Sequence, residues 1–414
     1  MAVKKVLIGL ALTTLLVGCG SGSSDGVKFE TKPSLGEALF SDVNLSFNRS
    51  QSCATCHNPD QGFVDDRTND ASIAGQTSAA SLGDNGSSIG DRNAPTAAYA
   101  AFSPEFHEGT RERVIRQRQN GIGAYEGFLG GQFWDGRESS LAGQAGGPPT
   151  NPLEMGMPDK SSVVDRLKEN NDYVAAFELI YGSDIFNDTE NAYEAMSESI
   201  GEFEKTAELS PFDSKYDLSL TGDYEYSIIS KASIGKTRFF SSDLTCASCH
   251  QLEADSSKTE LFTSFEFHNI GVPENTALRA INGVDQLDTG LLQNPLVVDD
   301  SEKGKFKVPT LRNVAVTAPY MHNGVFNELE TVIEFYEHAK LRANDMPDSS
   351  VNPETQLAWQ VPEIDENIET ELLGANHITL DESEVQALVC FLMTLTDARY
   401  EHLLDQEKVE SCGI

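Results

Sequence analysis

The sequence is poor in basic residues, and this shortage limits the partners that the protein can bind. It contains 30 lysines and arginines against 65 aspartates and glutamates, which gives a formal net charge of −35. Binding to nucleic acid depends on clustered Lys and Arg that neutralise phosphates. We therefore expect no nucleic-acid partner. An acidic surface favours solubility, and it is also suited to steering a basic protein partner.

The sequence also lacks long runs of alternating polar and apolar residues, the pattern of half-buried β-strands. Apolar residues instead recur at helical spacing in four segments, residues 152–180, 190–209, 328–339 and 383–395. A chain of 414 residues with 39% hydrophobic content is long enough for two packed domains. The sequence therefore predicts a mainly α-helical protein.

The apolar stretch near the N-terminus, residues 6–17, is too short to be a typical membrane-spanning helix. It follows Lys4 and Lys5 and leads into Cys19, a pattern that resembles a bacterial lipoprotein signal. In such signals the cysteine thiol is lipidated and anchors the protein to a membrane. The absence of Asp after Cys19 implies a periplasm-facing position at the outer membrane. We expect a signal peptide over residues 1–18 and a flexible tether over 19–33; the alternative is an ordinary secretory signal.

Four of the seven cysteines form two C-x-x-C-H motifs. The motif residues are Cys53, Cys56 and His57, then Cys246, Cys249 and His250. This spacing lets two thiols bond the vinyl groups of one haem while the adjacent His ligates the iron. Zinc and redox-dithiol readings are less favoured, because no further Cys or His follows either motif at zinc-finger spacing. We predict two covalently bound haem c groups with His57 and His250 as iron ligands.

Cys390 and Cys412 lie outside these motifs. Cys390 falls in the helical segment 383–395, where it would be a small core residue. A disulfide with Cys412 is compatible with an oxidising compartment, and the sequence leaves both readings open.

The two haem motifs stand in similar contexts, since residues 36–40 and 235–239 run from Gly to Phe before each motif. This similarity predicts two haem domains of related construction. We place the first domain at residues 34–225, the second at 226–400 and a tail at 401–414.

Several blocks around the motifs resemble those of the bacterial di-haem cytochrome c peroxidase family. The blocks span residues 92–96, 133–137, 144–155, 309–313 and 317–322. The resemblance runs from about residue 36 to residue 396. It implies two mainly helical, cytochrome-c-type haem domains whose haems face a shared interface, and an enzyme that reduces hydrogen peroxide. Family members are often dimers, so the resemblance leaves a homodimer open, and the sequence itself does not fix the oligomeric state.

The resemblance also implies roles for residues near the first haem. Glu154 matches the group that moves a proton between the peroxide oxygens, and Gln144 matches the group that orients the peroxide; the alternative is that both are ordinary solvated side chains. Trp134 matches the tryptophan between the haems. Many relatives cap the first iron with a His, but none occurs between His57 and Arg92. The first iron would therefore rest open or water-bound without reductive activation, unless another side chain caps it.

At the second haem, Tyr336 stands where conventional family members carry a Met ligand. This substitution resembles the MauG-like branch of the family, and a Tyr ligand lowers the haem potential. The alternatives are that Tyr336 is a helix core residue and that Met321 or Met346 is the ligand. Trp359 has no family motif around it and is assigned a structural role.

The family also binds calcium between the two domains. Asn93 matches the side-chain ligand, and Thr317 and Pro319 match two backbone carbonyl ligands, which are hard oxygen donors suited to calcium. The alternative is that Asn93 caps a turn. Arg312, His268 and His322 are weaker candidates for contacts with haem propionates.

We predict the first of the following three functions and keep the other two as alternatives. The first is a peroxidase that takes electrons from a small redox protein, a cytochrome c or a cupredoxin. The second is a MauG-like enzyme that uses peroxide to form a bis-ferryl state and oxidises residues of a partner protein. The third is an electron carrier without catalysis. Tyr336 and the missing distal His favour the second, and family frequency favours the first. Carriers normally fill both axial positions, which counts against the third.

Overall fold

The computed structural model describes residues 27–69, 78–112, 123–241, 244–252, 259–374 and 379–414. Its regular structure is mainly helical. The helices of the first half are α1 (Lys32–Phe40), α2 (Cys53–Cys56), α3 (Leu141–Ala145), α4 (Lys160–Lys168), α5 (Asn171–Tyr181) and α6 (Thr189–Glu204). Those of the second half are α7 (Lys215–Thr221), α8 (Lys231–Phe239), α9 (Cys246–Cys249), α10 (Thr276–Asn282), α11 (Leu329–Ala343), α12 (Thr370–Gly374), α13 (Glu382–Met393) and α14 (Gln406–Cys412).

The described strands are short and pair in twos. The antiparallel pairs are β1 (His107–Arg111) with β2 (Tyr125–Leu129), β3 (Phe267–His268) with β4 (Phe306–Lys307), and β5 (Val351–Asn352) with β6 (Leu357–Ala358). These ribbons are too small to form a layer of their own. The prediction of a mainly α-helical fold is therefore confirmed.

The four segments with helical spacing all contain helices, and side-chain caps mark where two of them begin. Asp188 accepts a hydrogen bond from the backbone N–H of Asn191 at the start of α6. Asp381 and Glu384 form a reciprocal capping box at the start of α13. Each cap satisfies N–H groups that the first helical turn leaves without an intrahelical partner.

The same kind of helix crossing occurs once in each half. In the first half α1 meets α6 at Gly36, where an added Cβ would lie 1.9 Å from the carbonyl oxygen of Ser199. In the second half α8 meets α13 at Gly235, where a Cβ would lie 1.7 Å from the carbonyl oxygen of Ala387. Only glycine fits so close to a neighbouring backbone. The similar contexts noted in the sequence thus correspond to the same packing contact in each half.

Each half has its own main apolar core, and residues that follow α13 return to the core of the first half. The first core gathers side chains of α1, α4, α5 and α6, and the second gathers those of α8, α11 and α13. Tyr400, which follows α13, is buried in the first core, and its hydroxyl donates to the carbonyl of Pro59 over 2.8 Å. Tyr99 of the first half donates to Asp397 over 2.6 Å. The segment after α13 therefore completes the apolar core of the first half.

The segment expected to be a tail, residues 401–414, is folded. It contains α14, whose last residue Cys412 forms a disulfide with Cys390 of α13. Both cysteines are buried in the second core. Cys390 is thus a core residue and a disulfide partner at once.

No helix among the described residues is long and apolar enough to cross a membrane. The expected signal peptide and Cys19 lie outside the described residues.

Candidate functional site

The first C-x-x-C-H motif forms the wall of a cavity. Its cysteines occupy α2, a single turn that places Cys53 and Cys56 on one face. Together with His57 they line a cavity of about 330 Å³, called here the first cavity. The thiols and the imidazole therefore meet at one concave surface, as covalent haem attachment requires.

The ring of His57 is oriented for ligation. Its Nδ1 lies 3.2 Å from the carbonyl oxygen of Phe63, which leaves Nε2 as the ligating atom. Burial lowers the pKa of His57, and this favours the neutral imidazole that binds metal.

The second motif repeats this construction on α9. Cys246, Cys249 and His250 line a cavity of about 220 Å³, called here the second cavity. Nδ1 of His250 lies 2.9 Å from the carbonyl oxygen of Phe262, and burial lowers the pKa of His250 to about 4. Phe262 has a positive φ of 55°, close to the 56° of Phe63.

A Pro-Thr pair supports each histidine loop. The hydroxyl of Thr96 donates to the carbonyl of Gly62 over 2.7 Å, and that of Thr310 donates to the carbonyl of Leu261 over 2.6 Å. In each half the acceptor directly precedes the phenylalanine whose carbonyl faces the histidine ring. Both cavities therefore have donor sets that fit a c-type haem, held by the same local structure.

Gln144 and Glu154 lie together in the first cavity. Gln144 is carried by α3, which Ser140 caps by accepting from Gly143 N–H. The backbone at Glu154 is fixed because its carbonyl accepts from Asp84 N–H over 2.7 Å. Burial raises the pKa of the Glu154 carboxyl, and the nearby charge of Arg137 opposes this. A carboxyl with a raised pKa is suited to holding and releasing a proton.

Within the described residues, His57 is the only histidine in the lining of the first cavity. Among the residues that the structure describes, no second imidazole faces it across the cavity. This arrangement agrees with the open first iron expected from the sequence.

Trp134 lines both cavities. Its indole N–H donates to the carbonyl of Asn93 over 2.9 Å, which fixes the plane of the ring. The structure therefore places this tryptophan between the two haem sites.

Tyr336 lies on α11 and lines the second cavity together with the cysteines and His250. Burial raises the pKa of its phenol. Of the two alternative ligands, Met346 is 43% exposed and is absent from the cavity lining, whereas Met321 borders the cavity.

One edge of the second cavity is polar. His268, His322 and Glu363 contribute to its lining and are all buried. Nε2 of His322 and Oε2 of Glu363 lie 3.9 Å apart, and neither has a hydrogen-bond partner among the described residues. Buried polar atoms without partners mark the place of an additional polar group, and the imidazole of His322 can donate to a haem propionate at this edge.

The structure assigns Arg312 to another role. Its guanidinium makes two hydrogen bonds to Asp217, of 2.6 and 2.7 Å, and a third to the carbonyl of Glu260. It lines neither haem cavity. The expectation that Arg312 contacts a propionate is wrong, because its donors are used by a buried bidentate ion pair.

Sequence reasoning missed Glu204. This residue ends α6, is only 5% exposed and lines the first cavity. Its Oε2 has no hydrogen-bond partner among the described residues, and burial raises its pKa to about 8. A signal was present, because Glu204 follows Ile200 by four residues on the apolar face of a helix.

The three expected calcium ligands meet at a third cavity of about 170 Å³ that also touches Trp134. Asn93, Thr317 and Pro319 all line it. The residues described contain no group of three or more His, Cys, Asp or Glu side chains able to hold a metal. A cation at this place would be held by amide and carbonyl oxygens, a donor set that fits calcium.

Comparisons with known proteins agree with this geometry. A family model described as di-haem cytochrome c peroxidase matches residues 30–225. The chain is 42% identical to the methylamine utilization protein MauG of Paracoccus denitrificans, over 96% of each chain. It is 29% identical to cytochrome c peroxidase Ccp of Escherichia coli, over 73% of this chain and 52% of that one. The di-haem peroxidase BthA from Burkholderia thailandensis superimposes with a TM-score of 0.74 at 28% identity, covering 91% of this chain and 88% of that chain.

Proposed function

The chain belongs to the di-haem cytochrome c peroxidase family, and we propose that it uses hydrogen peroxide to oxidise residues of a partner protein. Family membership makes it a peroxide-using oxidoreductase with two c-type haems. The observation that carries the proposal is the presence of Tyr336 in the second cavity, with Met346 outside it. A phenolate ligand lowers the potential of a haem, which suits the storage of an oxidising equivalent. The similarity to MauG over almost the whole chain supports the same reading.

In this proposal the first cavity carries out the proton chemistry. Hydrogen peroxide takes up two electrons and two protons and leaves as two water molecules. Glu154 would accept the proton from one peroxide oxygen and return it to the other, and Gln144 would orient the peroxide by hydrogen bonding. The haems, when bound, supply the redox chemistry. A histidine-free distal face leaves room for peroxide without prior reduction.

Trp134 and Tyr336 would serve the electron transfer. Trp134 touches both cavities, and its extended π-system suits the passage of charge between them. Tyr336 and His250 would both hold the iron of the second haem. The polar edge at His268 and His322 would receive the propionates of that haem.

We also propose that calcium binds at the third cavity through Asn93, Thr317 and Pro319. The backbone N–H of Asn93 donates to the carbonyl of His322 over 2.7 Å, so this site joins the two halves. A cation here would fix the segment that holds the Trp134 indole.

The setting of the protein is likewise a proposal. Lipidation at Cys19 would anchor it to a membrane facing the periplasm, most simply the outer membrane. Domain boundaries near 34–225 and 226–400 separate the two haem motifs, and the family resemblance implies a homodimer. The acidic surface would attract a basic partner.

The proposal is tested by adding stoichiometric hydrogen peroxide to the purified diferric protein and recording visible and near-infrared spectra. We expect a rapid Soret change and a near-infrared band from charge shared between the two haems. A protein that reacts only after half-reduction would overturn the proposal. It would then be a conventional peroxidase that takes electrons from a small redox protein.

A further inference from the structure

We propose that Trp359 is a redox relay that carries oxidising equivalents from the second haem site to the partner protein at the surface. This inference rests on the proposed function. It changes the structural role first assigned to Trp359, because the structure joins this residue to Tyr336 through aromatic rings in tilted and edge-on contact.

The inner side of Trp359 contacts a buried aromatic group. Its ring centroid lies 6.0 Å from that of Phe335, and the centroid of Phe335 lies 6.0 Å from that of Tyr336. A third ring, Phe326, packs edge-on against the indole at 5.9 Å. Tyr336 and Trp359 thus flank one apolar cluster, with a single phenylalanine between them. Two ring-to-ring contacts therefore separate the candidate iron ligand from the indole.

The outer side of Trp359 reaches the surface. The residue is half-buried and follows β6, and its indole N–H donates to the hydroxyl of Ser350 over 2.9 Å. Leu357 and Val361, two residues away on either side, are 68% and 81% exposed. Apolar side chains around a fixed indole form a surface that a protein partner can cover. Trp134, in contrast, lies inside the molecule between the two cavities.

The surroundings of Trp359 would stabilise positive charge on the ring. His338 stacks on the indole with centroids 5.2 Å apart and planes 13° apart. Nδ1 of His338 lies 2.5 Å from Oδ2 of Asp348. A carboxylate held next to the stacked pair would lower the energy of a radical cation through Coulomb attraction.

The electron balance is simple. The Trp359 ring would give one electron toward the second haem site and become a radical cation, and an oxidisable group of the partner would then give one electron to Trp359. The partner loses one electron in each cycle, and the second haem, when bound, would supply the acceptor for it. Two such cycles supply the two electrons that convert one peroxide molecule to water. No bond to the indole forms or breaks.

The experiment uses the full haem-loaded protein with Trp359→Phe, Trp359→Tyr and a matched control, Tyr224→Phe. Tyr224 is an oxidisable ring in the second half that packs against Tyr226, outside the Trp359 cluster. Each protein is mixed with stoichiometric hydrogen peroxide and freeze-quenched for electron paramagnetic resonance, with the indoles deuterated to identify a tryptophan radical. The decay of the oxidised state is then followed with reduced mitochondrial cytochrome c, a basic protein, as the electron-donating probe.

We expect Trp359→Phe to form the oxidised state at the normal rate but to lose the deuterium-sensitive radical and to oxidise the probe about tenfold more slowly. Trp359→Tyr should restore much of the rate, and the control should match the natural protein. An unchanged radical signal and probe rate in Trp359→Phe would overturn the relay while leaving the proposed function intact. A natural protein that forms no oxidised state with peroxide would overturn both. Unchanged Soret and circular dichroism spectra of the variants confirm folding.

Discussion

The two haem cavities are supported by the same helix crossing, but they differ in the side chain that one equivalent helix position contributes. Glu204 lies five residues beyond Ser199, which α1 contacts, and Leu392 lies five residues beyond Ala387, which α8 contacts. These two positions line the first and second cavities respectively. The first cavity therefore has a buried carboxyl where the second has an apolar side chain. The shared helix crossing and C-x-x-C-H motif allow a haem to be attached in each half. The few side chains that face each cavity set its reactivity.

The sharpest test of this comparison is to remove the acid of the first cavity with Glu154→Gln. We expect the rate of peroxide reaction to fall by about two to four orders of magnitude, the usual contribution of a positioned proton-transfer group. Stopped-flow absorbance at the Soret band measures it. The control is Glu169→Gln, at an exposed residue of the same half that pairs with Arg49. A protein indifferent to Glu154→Gln would be an electron carrier.

The second cavity is tested by Tyr336→Met, which gives it the ligand of conventional relatives. We expect the potential of the second haem to rise by about 200 mV, a fraction of the ~0.8 V that axial ligands span, and the near-infrared band to disappear. Spectroelectrochemical titration measures both haems. Tyr320→Phe removes another phenol from the same cavity and should leave the potential unchanged. If Tyr336→Met also leaves the potential of the second haem unchanged, Tyr336 is not its ligand and Met321 becomes the candidate.

The disulfide is a further difference, because the described residues contain one only in the second half. It closes a sequence separation of 22 residues, so the double change Cys390→Ser and Cys412→Ser should lower the free energy of unfolding by about 3 kcal/mol. Guanidinium unfolding monitored by circular dichroism checks this. Peroxide reaction at the first haem should remain normal. Equal stability of the two proteins would mean that the crosslink does not constrain the unfolded chain.

The smallest effect is expected from Glu204→Gln. Burial raises the folded-state pKa of Glu204 from 4.5 to about 8. The unfolded chain therefore releases this proton first, and stability falls as the pH rises from about 4.5 to 8, by up to ~1.4 kcal/mol per pH unit. The variant should lose this slope and be more stable than the natural protein near pH 7.

This prediction is checked by measuring the free energy of unfolding of the natural protein and of Glu204→Gln between pH 5 and 9. Glu202→Gln, on the same helix but bonded to Lys205 near the surface, is the matched control and should keep the slope. A natural protein without any slope in this range would show that Glu204 has a partner when the haem is bound.

Local patterns account for what the sequence predicted. The C-x-x-C-H motifs, the four helical segments and the repeated Gly-to-Phe context each depend on residues close together in the chain. The disulfide, the partner of Arg312 and the burial of Glu204 depend on contacts between distant segments. Arg312 and Asp217, for example, are 95 residues apart. Spacing cannot reveal such pairs, so a charged residue with a family resemblance was assigned to the wrong partner.

Tyr400 has a consequence for the order in which the protein is made. Its ring belongs to the core of the first half, yet it is synthesised after the second haem motif. The N-terminal part of a chain generally folds first during synthesis. Here the first half emerges early, and part of its core is missing until Tyr400 has been made. Removal of the chain from Tyr400 onward would therefore destabilise the half that was made first.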